Sequence, residues 1–187
     1  MASFENHKFR VINGGKDKQN LFCEIPVTLV PDDFSPLDVD ALVCEEDRYL
    51  IMTTSTDSQS IPEHPLRVIN RAWQQQPLPL GSIHCRTGKP TRFLLVIHDL
   101  DRVPTCRPIW ILAALANLRF QLSDHPHVRT IAMPLLGTRH GHLNIAESFN
   151  LLRQAFTGAN WPVKHLFLMV PRRSLDEVKQ FVFRTSQ

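Results

Sequence analysis

The sequence predicts an α/β domain whose helices cover both faces of a mixed central sheet. Three observations predict it. Short apolar runs of strand length alternate with longer segments of helical periodicity along most of the chain. Turn signals near the start and the middle leave too few residues for a crossover helix, so the strands they join are antiparallel. From Thr130 to Phe156 a strand, a glycine-hinged loop and an amphipathic helix follow one another, the unit from which parallel sheets are built.

Phe9 to Ile12 reads as a short strand. Asn13-Gly14-Gly15 turns the chain, and Leu21 to Val30 returns as its antiparallel partner. Asp40 to Cys44 is a short buried strand. Pro62 starts a helix that carries Leu66, Ile69 and Trp73 on one face. Ser82 to Arg86 and Phe93 to His98 are two strands about the turn at Gly88-Lys89-Pro90. Thr105 is the candidate cap of the next helix, with Pro108 in its first turn and Ile111, Leu115, Leu118 and Leu122 on its inner face. That helix is apolar almost all round, which predicts cover on two sides.

Thr130 to Met133 is a covered strand, and Pro134 removes the donor that would extend its ladder. Gly137 and Gly141 bracket Thr138-Arg139-His140, so the backbone turns tightly and approaches a ligand closely. Asn144 and Glu147 have the spacing of a capping box, and Ile145, Phe149, Leu152 and Phe156 form the apolar stripe behind it. Lys164 to Val170 is the last strand, and Ser174-Leu175-Asp176-Glu177 opens the last helix. A loop between a strand end and a helix start is where open α/β sheets bind ligands, and the helix N-terminus favours anions.

A chain of 187 residues suits one domain, spanning 1–187, and 43% hydrophobic content is enough for a real core. The net charge of +3 comes from scattered basic residues, and Arg172-Arg173 reads as a solvated pair, so nucleic-acid binding is not indicated. The four cysteines form no C-x-x-C pair, which argues against a zinc ribbon and suits a reducing compartment. No segment is long enough to span a bilayer, and the first residues show no apolar stretch of signal-peptide length. A cytoplasmic protein is the expectation.

Four pieces of the chain, in order, resemble the macro domain, a family of ADP-ribose-binding and ADP-ribosyl-hydrolysing modules. Val30-Pro31-Asp32-Asp33-Phe34-Ser35 with Val39-Asp40-Ala41-Leu42-Val43 resembles the family's "GDIT…vDaIV" opening. Leu80-Gly81-Ser82-Ile83 and Phe93 to His98 resemble two of its strands, "GeavvT" and "kyvIHtv". Ile131 to Gly141 resembles "iafPaiGtGhgG". The resemblance implies a three-layer α/β/α macro-like domain with a mixed central sheet, and ADP-ribose or a related nucleotide-like ligand.

It also implies roles. Asp33 falls where a carboxylate accepts from the adenine amine, a task for an acceptor-only group; by itself it also reads as a turn residue. Gly137, Thr138, Arg139, His140 and Gly141 fall on the loop whose amides hold the diphosphate and distal ribose. Arg139 replaces a glycine there and suits a phosphate clamp. Cys44 and Asp47 fall on the two asparagines of the family's "NaaN" loop. Glu45, Glu46 and Asp47 put negative charge near a bound diphosphate. The family's glycine run is replaced by Thr53 to Ser58. Without the asparagine and the glycine run, ADP-ribosyl hydrolysis is disfavoured, and the expectation is a divergent binding module with no cofactor.

Other chemistries use the same residues. His140 and His142 with Glu45, Glu46 or Asp47 have the donor types of a divalent-metal site, and Cys44 near His140 would be a thiol–imidazole pair. His98, ending an apolar strand, reads as a hydrogen-bonded structural residue. The remaining alternative is a degenerate macro-like domain serving as a protein-interaction module. The apolar helix from Ile109 to Phe120 would then supply a face, including that of a homodimer.

Overall fold

The computed structural model describes residues 21–22, 25–33, 39–52, 70, 74 and 76–184. The strand expected at Phe9 to Ile12, the helix expected from Pro62 to Trp73 and the Thr53 to Ser58 stretch lie outside them, apart from Asn70 in the helix. Seven strands form one sheet: β1 (Leu21–Phe22), β2 (Ile25–Pro31), β3 (Ala41–Asp47), β4 (Ile83–Arg86), β5 (Thr91–His98), β6 (Thr130–Pro134) and β7 (His165–Val170). Their order is β1-β2-β7-β6-β3-β5-β4. The five inner strands are parallel, and β1 and β4 are antiparallel edges. The expected mixed sheet is therefore present. One strand differs: Leu21 to Val30 is not a single strand, because Leu21–Phe22 folds back on Ile25–Pro26 within it, and its expected partner at Phe9 to Ile12 lies outside the described residues.

The helices fully within the described residues are α1 (Pro108–Ser123), α2 (Ile145–Phe156) and α3 (Leu175–Arg184). Phe93, Leu95 and Ile97 of β5, Ile131 and Met133 of β6, and Leu166 and Leu168 of β7 share one core with Ile111, Leu115 and Leu118 of α1 and Phe149 and Leu152 of α2. Alternation sends Leu94, Val96 and Ala132 to the other face, and they are also fully buried. The central strands are thus covered on both sides, which is why β5 and β6 read as unbroken apolar runs.

The start of α1 differs from expectation. Its cap is Arg107, with no side-chain hydrogen bond and Pro108 in the first turn. The Thr105 hydroxyl donates instead to the carbonyl of His140, 2.9 Å away. Nor does the expected cover on two sides extend to Ile109 and Phe120, which are 64% and 74% exposed. The α2 capping box is present, with Asn144 Oδ1 accepting from the Glu147 amide and Glu147 Oε2 from the Asn144 amide, both at 2.9 Å.

Cys44 to Asp47 forms no loop. It is the last half of β3, paired with β5 through to His98. The strand runs on because its carboxylates are consumed by backbone donors, as described next.

Candidate functional site

The parallel strands β2, β3, β5, β6 and β7 end on one edge of the sheet, and β3 lies between β5 and β6. The loops at residues 99–106 and 135–144 meet the end of β3 at that edge. The second is built on two glycines that admit no side chain. Gly137 has φ +77°, and a Cβ there would lie 2.7 Å from Leu143 Cδ1; at Gly141 it would lie 2.6 Å from Cys106 Cβ. The amides of Gly141 and Leu143 both donate to the Gly137 carbonyl at 3.1 Å, and Thr138 donates to the Leu135 carbonyl through its amide and its hydroxyl. Among the described residues, the Arg139 and His140 amides have no acceptor. Arg139 and His140 are exposed, and His142 has φ +62°.

The Gly137 amide is already engaged. It donates to Glu45 Oε1 at 2.7 Å, a length typical of a bond to a charged acceptor. Glu45 Oε2 lies 2.8 Å from His98 Nε2, and the two side chains are 7% and 0% exposed. His98 Nδ1 is buried without a partner among the described residues. The His140 ring stands edge-on to the His98 ring, 6.0 Å between centroids. Cys106 is buried beside this group; burial, and then the Glu45 charge, push its thiol up to about 12. Partial burial lowers the His140 pKa, and the Glu45 charge opposes that fall.

Glu46 and Asp47 are fully buried and face backbone donors. Asp47 accepts from the amides of Tyr49 at 2.7 Å, Ile51 at 2.8 Å and Met52 at 3.0 Å. Glu46 Oε1 accepts from Met52 at 2.7 Å. The acidic run therefore shapes the chain after β3 rather than lining it with open charge. Cys44 is half-buried in β3, opposite Leu94. Asp33 follows the end of β2, where Arg172 grips its Oδ2 through Nη2 at 2.7 Å and Nε at 3.2 Å. The hydrogen bond from Arg172, together with its charge, holds the Asp33 carboxyl below the usual range. Among the described residues no group of three or more His, Cys, Asp or Glu side chains is placed to hold a metal ion.

No family model and no curated protein matches the chain. Solved structures do. The macrodomain of Thermus aquaticus DarG superposes with a TM-score of 0.55 at 18% identity, over 78% of this chain and 98% of that one. A variant of the Oceanobacillus iheyensis macrodomain gives 0.59 at 13% identity, over 88% and 96%. The Trypanosoma brucei macrodomain, solved with ADP-ribose, gives 0.54 at 11% identity, over 85% and 68%. The chain has the macrodomain fold. At such identities the likeness concerns the three-layer architecture alone.

Two residues of that edge, His98 and Arg172, were not singled out as site residues in the sequence, and the partners of Glu45 were not foreseen. Glu45 and His98 meet because β3 and β5 are parallel neighbours with a register shift after Glu46, which brings the end of one strand over the end of the other. Arg172 reaches Asp33 because β7 and β2 end side by side, with Pro31 opposite Val170. Strand adjacency is the missing signal in both cases. A groove of about 260 Å³ runs between the start of α1 and α2, bordered by Pro108, Leu143, Asn150 and Leu151, so it shares Leu143 with the 135–144 loop.

Proposed function

We propose that this macrodomain binds ADP-ribose or a related nucleotide-like, phosphorylated ligand in a remodelled cleft at the carboxyl ends of β3, β5 and β6. The observation that carries the reading is the Gly137 amide, which points into the edge and holds an acid oxygen at 2.7 Å. A loop whose amide grips a carboxylate is built to meet anions. With the Gly137 amide held by Glu45, the Arg139 and His140 amides and the Arg139 guanidinium supply the donors left for a ligand. Asp33 reads the base, with Arg172 fixing its carboxylate. Asp47 acts through the backbone of Tyr49 to Met52, and Cys44 lines the strand below. The Trypanosoma brucei macrodomain with ADP-ribose and the Oceanobacillus iheyensis macrodomain with ADP support the ligand class.

Calorimetric titration with ADP-ribose tests this. Saturable heat is expected for the wild type, with loss in Gly137→Glu and weakening in Asp33→Ala. No heat from folded protein rejects the reading and leaves the protein-interaction alternative. The exposed Ile109 and Phe120, which share one side of α1, favour that second reading.

A further inference from the structure

We infer that Glu45 is a resident anion that determines specificity, occupying the amide of the 135–144 loop and turning phosphate away from that end of the cleft. The inference rests on the reading that the cleft takes a phosphorylated ligand, and it states where the phosphate cannot sit.

Three observations carry it. Glu45 Oε1 takes the Gly137 amide at 2.7 Å, the donor a phosphate oxygen would otherwise use. Its other oxygen is anchored 2.8 Å from His98 Nε2, so the carboxylate is held from both sides and does not swing aside freely. Both side chains are more than nine-tenths buried, and His98 Nδ1 has no partner among the described residues. The Gly137 amide and His98 Nε2 thus converge on one carboxylate of the protein. An ionised carboxylate only accepts hydrogen bonds. A phosphate brought to the same amide would meet that charge at contact distance in a poorly hydrated place, where like charges repel strongly. A ligand group that donates a hydrogen bond to Glu45 meets no such barrier. The phosphate of any ligand is therefore displaced along the loop, toward the Arg139 and His140 amides and the Arg139 side chain.

The test uses ¹⁵N-labelled full-length chain titrated with inorganic phosphate, read at the amides of residues 137–141. In the wild type the Gly137 signal is expected to show no saturable shift. In Glu45→Ala it is expected to shift saturably, with an apparent affinity at least about tenfold above any wild-type response. Glu45→Gln keeps the shape and an acceptor but loses the charge, so an intermediate response is expected. It serves as the test if the alanine variant does not fold. A wild-type Gly137 amide that responds to phosphate as the variants do overturns the inference, as does the absence of response in both variants. Titration with ADP-ribose is decided separately. A wild type that gives no heat with ADP-ribose removes the binding reading, while the phosphate comparison still decides what Glu45 does.

Discussion

Asp40 and Thr130 hold each other at the amino-terminal edge of the sheet. Asp40 Oδ2 accepts from the Thr130 amide at 2.8 Å and its hydroxyl at 2.9 Å, and also from the Arg129 amide at 2.8 Å. The Asp40 amide donates back to the Thr130 hydroxyl oxygen at 2.9 Å. Immediately beyond, Ala41 faces Ile131 and Leu42 faces Ala132, so this exchange sets the register of β3 on β6. Asp40→Ala is expected to cost about 1–3 kcal/mol, seen as a lower urea midpoint with an unchanged slope. Desolvation raises the Asp40 pKa, but the hydrogen bonds from Arg129 and Thr130 outweigh it and the net shift is downward. The ionised form is the one that folding favours. This contribution is therefore complete above the ordinary carboxyl pKa and lost as pH falls through the depressed folded value. The acid-side decline in stability should be shallower in Asp40→Asn; an unaltered decline would assign it to other carboxylates.

Gly137 and Gly158 separate backbone strain from packing. Both have positive φ, at +77° and +65°, but a Cβ at Gly158 has nothing within 4 Å, whereas at Gly137 it meets Leu143 and Ile111. Gly158→Ala should cost only the left-handed backbone term, about 1–2 kcal/mol. Gly137→Ala should cost that and about 1–3 kcal/mol more for overpacking. Denaturant midpoints of the two variants check this, and equal losses would show that Leu143 yields without cost.

Trp161 stacks on Phe156 with rings 4.0 Å apart and 4° from parallel, and is only 6% exposed. It closes the core at the end of α2 just before β7. Trp161→Ala should destabilise by about 3–5 kcal/mol, with Phe retaining most of the stability at that position. Thermal melts of the two variants decide between a core anchor and a dispensable surface ring.

The elements from Ile83 onward were legible because each carries local evidence: the turn at Gly88-Lys89-Pro90, the capping box at Asn144 and Glu147, the apolar stripe of α2. The glycine loop was legible for the same reason, since tight backbone contact excludes any other residue. What could not be read locally was the end of β3. Glu45, Glu46 and Asp47 carry the composition of an exposed loop, and only their acceptors' partners, the amides of Gly137, Met52 and Tyr49 and the ring of His98, explain why they lie in a strand. Burying a carboxylate is costly unless donors meet it. Those donors come from 92 residues away in the case of Gly137. The outer side of α1 failed in the opposite sense: an apolar pattern marks residues that can be buried, yet Ile109 and Phe120 are not.

The Asp33–Arg172 pair is exposed on both sides, so it should contribute little to folding stability. Arg172→Ala is expected to leave the melting temperature unchanged within error. The Asp33 carboxyl, followed by carbon-detected NMR titration, should move back up toward the ordinary value, because the hydrogen bond and charge of Arg172 hold it down. A depressed Asp33 in the variant would place the cause in the local turn.

Glu45 acts on two reporters with one charge. Its carboxylate raises the pKa of both His140 and Cys106, opposing the effect of burial at His140 and adding to it at Cys106. Replacing it with glutamine removes a negative charge that favours the protonated form of each, so both pKa values should fall. In the wild type, with the thiol at about 12, Cys106 should resist a soluble disulfide reagent at neutral pH until the chain unfolds. In Glu45→Gln the proton NMR titration of His140 should move to lower pH, and the alkaline reaction of Cys106 should begin earlier. A His140 titration that does not move would mean that solvent at this exposed imidazole screens the buried charge. The joint shift of both groups would locate the ionised carboxylate beneath the loop in solution.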